Sequence, residues 1–138
     1  MRRWHGPIPQ RLFEQAERLF SELLASNETP VLLHGDLHHF NILSSGRERW
    51  LAIDPKGLVG EAEYELAAFL RNRLISRPQP RKVLARRVDQ FVAELGFDRK
   101  RIVGWAQAGA VLSATWGHDG QGRIKDDELA YMRLTAEL

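Results

Sequence analysis

Residues 31–44 read Val31-Leu32-Leu33-His34-Gly35-Asp36-Leu37-His38-His39-Phe40-Asn41-Ile42-Leu43-Ser44, a polar loop held between two short apolar runs. Val31-Leu32-Leu33 reads as a buried strand, and residues 41–44 as the next one. Residues 49–54 read as its partner across a turn at Ser45-Gly46-Arg47-Glu48. A hairpin of that length returns Asp54 beside Asn41. Asp36, Asn41 and Asp54 then converge on one edge of a minimal sheet.

On either side of this stretch the period is helical. Upstream, Leu12, Phe13, Ala16, Leu19, Phe20, Leu23 and Leu24 mark an amphipathic helix over 10–26, ended by the approach to Pro30. Residues 55–60 read as a loop, and 61–75 as one helix. Pro78 and Pro80 break the chain before helices over about 81–95, 98–116 and 124–137, with Gly96 and a glycine-rich loop between them. The expected class is α+β, mostly helical. No internal repeat or low-complexity tract is present.

The chain has 138 residues, enough for one domain with a true core. It has no cysteine, which excludes disulfides and thiolate metal sites. No apolar run approaches the roughly 20 residues that span a bilayer, and residues 1–7 lack the pattern of a signal peptide. A soluble, cytoplasmic protein with no membrane partner is expected. The net charge is +2, and the arginines are scattered through helices among acids, without interleaved aromatics. That pattern favours a solvated face over nucleic-acid binding.

The loop has the parts of phosphoryl transfer, which depends on positioning and charge neutralisation. An amide oxygen and carboxylates suit Mg²⁺, which takes oxygen ligands and is completed by waters and phosphates. A free carboxylate nearby orients a hydroxyl and accepts its proton. Lys56, two residues past Asp54, is a candidate phosphate contact.

At His34, Gly35, Asp36 and Asn41 the sequence resembles the H-G-D-x-x-x-x-N loop of the aminoglycoside phosphotransferase-like kinases. The stretch Ala52-Ile53-Asp54-Pro55-Lys56-Gly57-Leu58, with Gly60 and Tyr64-Glu65-Leu66-Ala67, is most similar to the streptomycin 6-kinase and hydroxyurea-resistance branch. The resemblance implies the C-terminal lobe of a protein-kinase-like fold over residues 1–138, with a small β-hairpin carrying the catalytic loop 34–41 and the metal-binding segment 52–57. It implies Asp36 as catalytic base, Asn41 and Asp54 as Mg²⁺ ligands facing ATP, and His34 as a brace for the loop. Glu65 stands where relatives often carry an aspartate that ties the following helix to the loop, so an altered tether is expected. His39 replaces the commoner proline or glycine. The implied activity is ATP-dependent O-phosphorylation of a small hydroxylated acceptor, with an aminocyclitol antibiotic such as streptomycin leading.

About 33 residues precede the loop, reading as one helix, and no lysine occurs before Lys56. The N-terminal nucleotide lobe of such kinases is therefore expected to be absent. Apolar surface that it would cover is expected to favour a homo-oligomer. Two other readings compete. One is a non-catalytic, kinase-like interaction module. The other is a metallohydrolase using His34, His38, His39, Asp36 and Asp54, although His38 and His39 are adjacent and on a strand would face opposite ways.

The acids Glu61, Glu63, Asp126, Asp127 and Glu128 read either as a wall for a cationic acceptor or, preferably, as helix-start acids favoured by the dipole. His118 and Asp119, in the glycine-flanked loop, are candidate substrate contacts. Trp105 and Trp116 read as core.

Overall fold

The computed structural model describes residues 6–117 and 122–138. Five α-helices and four strands follow in the order α1 (Gln10–Ala25), β1 (Val31–Leu33), β2 (Ile42–Ser44), β3 (Trp50–Ala52), β4 (Leu58–Gly60), α2 (Leu66–Arg71), α3 (Pro80–Leu95), α4 (Arg99–Trp116) and α5 (Asp126–Ala136). The class is α+β. No helix among the described residues is long and apolar enough to cross a membrane.

Helix α4 is the axle of the fold, packed against α1, α2, α3 and α5. Ile102, Ala106, Ala110 and Ala114, spaced by four, are all buried, as are Trp105, Ala108 and Val111. A helix buried on so many sides needs small residues where its neighbours come close. Gly104 is such a place, since a Cβ there would stand 3.3 Å from Leu23; another is Gly109, 3.3 Å from Ala67 by the same measure. Around this axle Leu70, Leu74, Leu84, Val88, Tyr131 and Met132 complete the core. Each fully buried aliphatic side chain contributes about 1.5–3 kcal/mol.

The helix boundaries follow local chemistry. Pro80 starts α3 with its fixed φ. Gly96 closes it at φ +70°, in the left-handed region. Asp98 caps α4 by accepting from Arg101 N at 3.0 Å.

The expected hairpin forms, and a second, unexpected pair of strands accompanies it. There are two separate antiparallel pairs, β2 with β3 and β1 with β4. The first pairs Ile42 with Ala52 and Ser44 with Trp50. The second pairs Val31 with Gly60 and Leu33 with Leu58, so residues 58–60 form a strand where a loop is expected. The polar loop thus runs from one ribbon to the other and is anchored in both. The expected helix over 61–75 is also shorter. A 3₁₀ turn over Ala62–Glu65 precedes α2, which ends at Arg71.

Candidate active site

His34 is the hub of the loop. Its amide donates to Glu65 Oε2 at 2.6 Å, and the amide of Gly35 donates to Glu65 Oε1 at 2.9 Å. Its carbonyl accepts from Lys56 N at 2.7 Å. The ring Nε2 lies 2.7 Å from Ile53 O, and Asp36 N lies 3.3 Å from Nδ1. Because a carbonyl only accepts, Nε2 carries the proton and Nδ1 is free to accept. One histidine therefore ties the loop to α2 through Glu65, to the end of β3, and to the 54–57 turn. Glu65 reaches two consecutive amides, which is the bidentate form of the expected tether.

Gly35 sits at φ +86°, where a Cβ would stand 3.0 Å from Leu58 and 3.2 Å from Lys56. Only glycine meets both demands. The next residue, Asp36, turns its carbonyl toward Asn41 Nδ2, 2.9 Å away. Its carboxylate lies 3.7 Å from His38 Nε2. The His38 ring also accepts from Phe40 N through Nδ1 at 3.2 Å, and its Nε2 lies 3.4 Å from Asn41 Nδ2.

Asn41 is buried, and its carbonyl accepts from Ile53 N at 2.9 Å. The hairpin thereby sets Asp54 next to Asn41. Asp54 adopts φ +58°, a conformation that aspartate tolerates better than most residues. Its carboxylate is open to solvent and carries Lys56 Nζ at 3.3 Å. The donor set fits Mg²⁺. Asn41 donates from Nδ2 to the Asp36 carbonyl, which leaves Oδ1 out of that bond and available to an ion, and Asp54 offers one exposed carboxylate. One or two such ligands suffice when phosphates and water complete the shell.

Asp36 opens onto a cleft of about 430 Å³ between the loop, β4, α2 and α4. Tyr64, Glu65, Arg71, Ser113 and Trp116 are among its walls. Burial pushes the Tyr64 phenol above its usual range, with the carboxylates of Glu65 and Asp36 adding to it. Trp116 corrects the sequence reading. It is 76% exposed and lines the cleft, whereas Trp105 is core.

Other expectations fall differently. His39 stacks on Phe69 at 4.1 Å and meets Asn72 at 3.1 Å. Burial, followed by Arg87, Arg73 and Arg77, holds its pKa below the usual histidine value. The three imidazoles thus have separate partners. Among the described residues no group of three or more His, Asp or Glu side chains could hold a metal, which removes the support for a metallohydrolase. Glu61 is neither a substrate wall nor a dipole-compensating acid. It is buried and accepts from Trp105 Nε1 at 2.7 Å and from Arg101 Nε and Nη2. Burial pushes its carboxyl up, but the hydrogen bonds from Arg101 and Trp105 outweigh that and hold it below the usual carboxylate range. His118 and Asp119 lie outside the described residues. Sequence reasoning missed Arg71, Ser113 and Trp116, which reach the cleft only through the packing of α2 on α4.

Residues 2–120 match the sequence model of the aminoglycoside/hydroxyurea antibiotic resistance kinase family. The chain is 36% identical over 126 residues to a streptomycin 3''-kinase of Klebsiella pneumoniae, a match covering 84% of this chain and 47% of that protein. It is 38% identical over 122 residues to a streptomycin 6-kinase of Streptomyces glaucescens, covering 86% and 39%. A hydroxyurea phosphotransferase of Kitasatospora aureofaciens is 36% identical over 122 residues, covering 88% and 34%. The chain spans less than half the length of each of these relatives. No solved structure gives a significant match.

Proposed function

The chain belongs to the aminoglycoside/hydroxyurea antibiotic resistance kinase family, and on that premise we propose that it carries the acceptor and metal half of an ATP-dependent O-phosphotransferase. We read its α+β arrangement as the C-terminal lobe of a protein-kinase-like fold. The acceptor is a hydroxyl of a small antibiotic, with streptomycin the first candidate, since relatives named for streptomycin phosphorylation are among the most similar. The reading places the protein in the cytoplasm, where ATP is available.

One observation carries it. Asp36 faces the cleft while its own carbonyl is bonded to Asn41, whose carbonyl in turn holds the residue before Asp54. Base and metal ligands are therefore parts of one hydrogen-bonded unit. In the proposed step the acceptor oxygen forms a bond to the γ-phosphorus of ATP, the bond to the β–γ bridging oxygen breaks, and ADP leaves. The hydroxyl proton passes to Asp36. Asn41 and Asp54 would hold Mg²⁺, which when bound neutralises phosphate charge. Lys56, on the cleft wall, is released from Asp54 to face a phosphate. His34 and Glu65 position the loop without touching substrate.

A phosphotransfer assay with ATP, Mg²⁺ and a panel of streptomycin, hydroxyurea and other small hydroxylated acceptors tests this. It should be run on this chain and on the chain joined to a relative's nucleotide-binding lobe. Transfer that disappears in Asp36→Asn supports the reading, and no transfer from either form sinks it.

A second reading, a non-catalytic interaction module, draws on the exposed apolar side chains of the two ribbons. Leu32, Val59 and Trp50 are 79%, 73% and 60% exposed. A stable homo-oligomer without Mg²⁺-nucleotide binding would favour it.

A further inference from the structure

Helix α2 ends in a tight turn. The amide of Leu74 donates to Arg71 O at 3.3 Å, Asn72 sits at φ −62° and ψ 131°, and Arg73 follows at φ +52°. These are the angles of a type II turn, whose third position calls for glycine or asparagine. A bulky side chain is strained there, and such strain persists chiefly where function requires it. The strained residue carries its guanidinium over the Phe40 ring, 5.7 Å from the centroid. Phe40 is 62% exposed, so the pair stands at the surface, one residue from Asn41. The charge is unanswered, since among the described residues no ion pair engages Arg73, Arg77 or Arg86. By contrast, the Arg87 guanidinium is taken up by the carbonyls at the end of α2. After burial, Arg87, Arg73 and Arg77 are the groups that hold the His39 pKa low, so these cations stand around one imidazole with no carboxylate to offset them.

We propose that Arg73, Arg77 and Phe40 form a docking surface for an acidic segment of a partner protein. Charge complementarity selects the occupant: exposed, unpaired guanidinium groups call for anions, and their forks meet carboxylates in paired hydrogen bonds. Arg73 and Arg77 lie on an irregular segment between α2 and α3, so a run of carboxylates, not one ion, meets both. The exposed Phe40 ring adds an apolar contact beside the charges, which an amino-acid side chain answers and a bare polyanion does not. Single-stranded nucleic acid fits less well. It needs successive aromatic platforms, and the Phe40 face is already covered by Arg73. Holding Arg73 in the left-handed region sets its guanidinium on the ring before the partner arrives, which lowers the ordering cost of binding. The surface adjoins the catalytic loop and shares none of the residues assigned to base or metal, so docking here does not depend on the phosphotransferase reading.

Fluorescence anisotropy of a labelled peptide, glutamates around one central leucine, titrated with the purified chain tests the surface. The same peptide with glutamine for glutamate is the uncharged control, and an oligouridylate is the nucleic-acid arm. Wild type should bind the glutamate peptide, more weakly as salt is raised, and leave the glutamine peptide unbound. Arg73→Gly should weaken binding about tenfold, the loss of one charge-assisted pair. It should melt no lower than wild type, because glycine relieves the strained turn. An arginine kept only to clamp Phe40 would instead melt lower when removed. Arg77→Gln should also weaken binding about tenfold, and Phe40→Ala about threefold. Arg18→Gln, which removes an exposed arginine on α1, should bind as wild type. The proposal is overturned by wild-type affinity in both Arg73→Gly and Arg77→Gln, by equal binding of the glutamine peptide, or by no binding of the glutamate peptide. An Arg73→Gly protein that melts well below wild type also overturns it, as does tighter binding of the oligouridylate with the same variant effects, which would make the partner a nucleic acid.

Discussion

Glu65 holds His34 by its amide at 2.6 Å and, through its second oxygen, holds the adjacent Gly35 amide as well. The carboxylate thus fixes the start of the polar loop to the residues just before α2. Amide bonds to a charged acceptor contribute about 1.5–3 kcal/mol each, so Glu65→Ala should lower stability by about 3 kcal/mol in urea denaturation. Glu65→Gln replaces one acceptor with an NH₂ that opposes a backbone N–H, and should cost nearly as much. Small misplacements of reacting groups reduce rates by about 100-fold, and phosphotransfer should fall accordingly in both variants. Full activity in Glu65→Ala would show that the loop is held by other means.

Asp36→Asn should retain the fold, because the loop is fixed through the residue's backbone carbonyl rather than its carboxylate. Its melting temperature should match wild type. Phosphotransfer should fall about 10²–10⁴-fold, the usual share of a positioned general base. Asp54→Ala should lose activity as well, with a part recovered at high Mg²⁺ if its role is to hold the ion.

The Glu61–Arg101 pair makes stability depend on pH. Arg101 also donates to Ser26 Oγ at 2.9 Å and Leu23 O at 3.0 Å, so it clamps α1, the segment before α2, and α4 together. The folded pKa of Glu61 is depressed below its ordinary 4.5. Its contribution is therefore complete above about pH 4.5 and is lost as pH falls through the folded value. Glu61→Gln should be about 2–3 kcal/mol less stable than wild type at pH 7, because it strands the Arg101 charge. That gap should narrow as the pH drops below 4.5. A gap constant from pH 7 to pH 3 would mean that the carboxylate's charge is irrelevant.

The sequence is legible where structure is decided locally. Asn41 lies five residues past Asp36 and bonds its carbonyl within the same loop, so spacing alone suggests that pairing. The hairpin turn sets Ile53 against Asn41, and Asp98 and Gly96 mark helix ends by their own chemistry. Residues 58–60 are illegible as a strand. They follow the turn residues Pro55-Lys56-Gly57, number only three, and expose Leu58 and Val59, so neither length nor period marks them. Glu61 looks like a helix-start acid because its partner Arg101 is forty positions away. The same distance hides the cleft walls, since Arg71 and Ser113 meet only when α2 packs on α4.

Arg87 should prove to be the cap of α2. Its Nη1 donates to Phe69 O, Leu70 O and Asn72 O at 3.2, 2.9 and 3.0 Å, meeting carbonyls that a six-residue helix leaves bare. A cation at a helix C-terminus, partly buried, contributes up to about 2 kcal/mol besides the hydrogen bonds. Arg87→Met, which keeps the aliphatic stem, should therefore lose about 2–3 kcal/mol. Amide exchange in α2 should accelerate more than in α4. Uniform acceleration across both helices would point to a global effect instead of a cap.

Gly35 and Gly57 separate backbone conformation from crowding. Both have positive φ, +86° and +66°, but a Cβ at Gly57 meets nothing within 4 Å, while one at Gly35 strikes Leu58 and Lys56. Gly57→Ala should cost about 1 kcal/mol, the left-handed penalty alone. Gly35→Ala adds displacement of Leu58 from β4, for a total of about 2–3 kcal/mol. It also forces apart the amide pair that Glu65 holds, so it should impair phosphotransfer far more than its stability loss accounts for. Measuring both variants by denaturation and by transfer rate decides the point. Equal rates at matched folded fraction would mean that the loop tolerates movement at its first turn, and that Asp36 is placed from the Asn41 side alone.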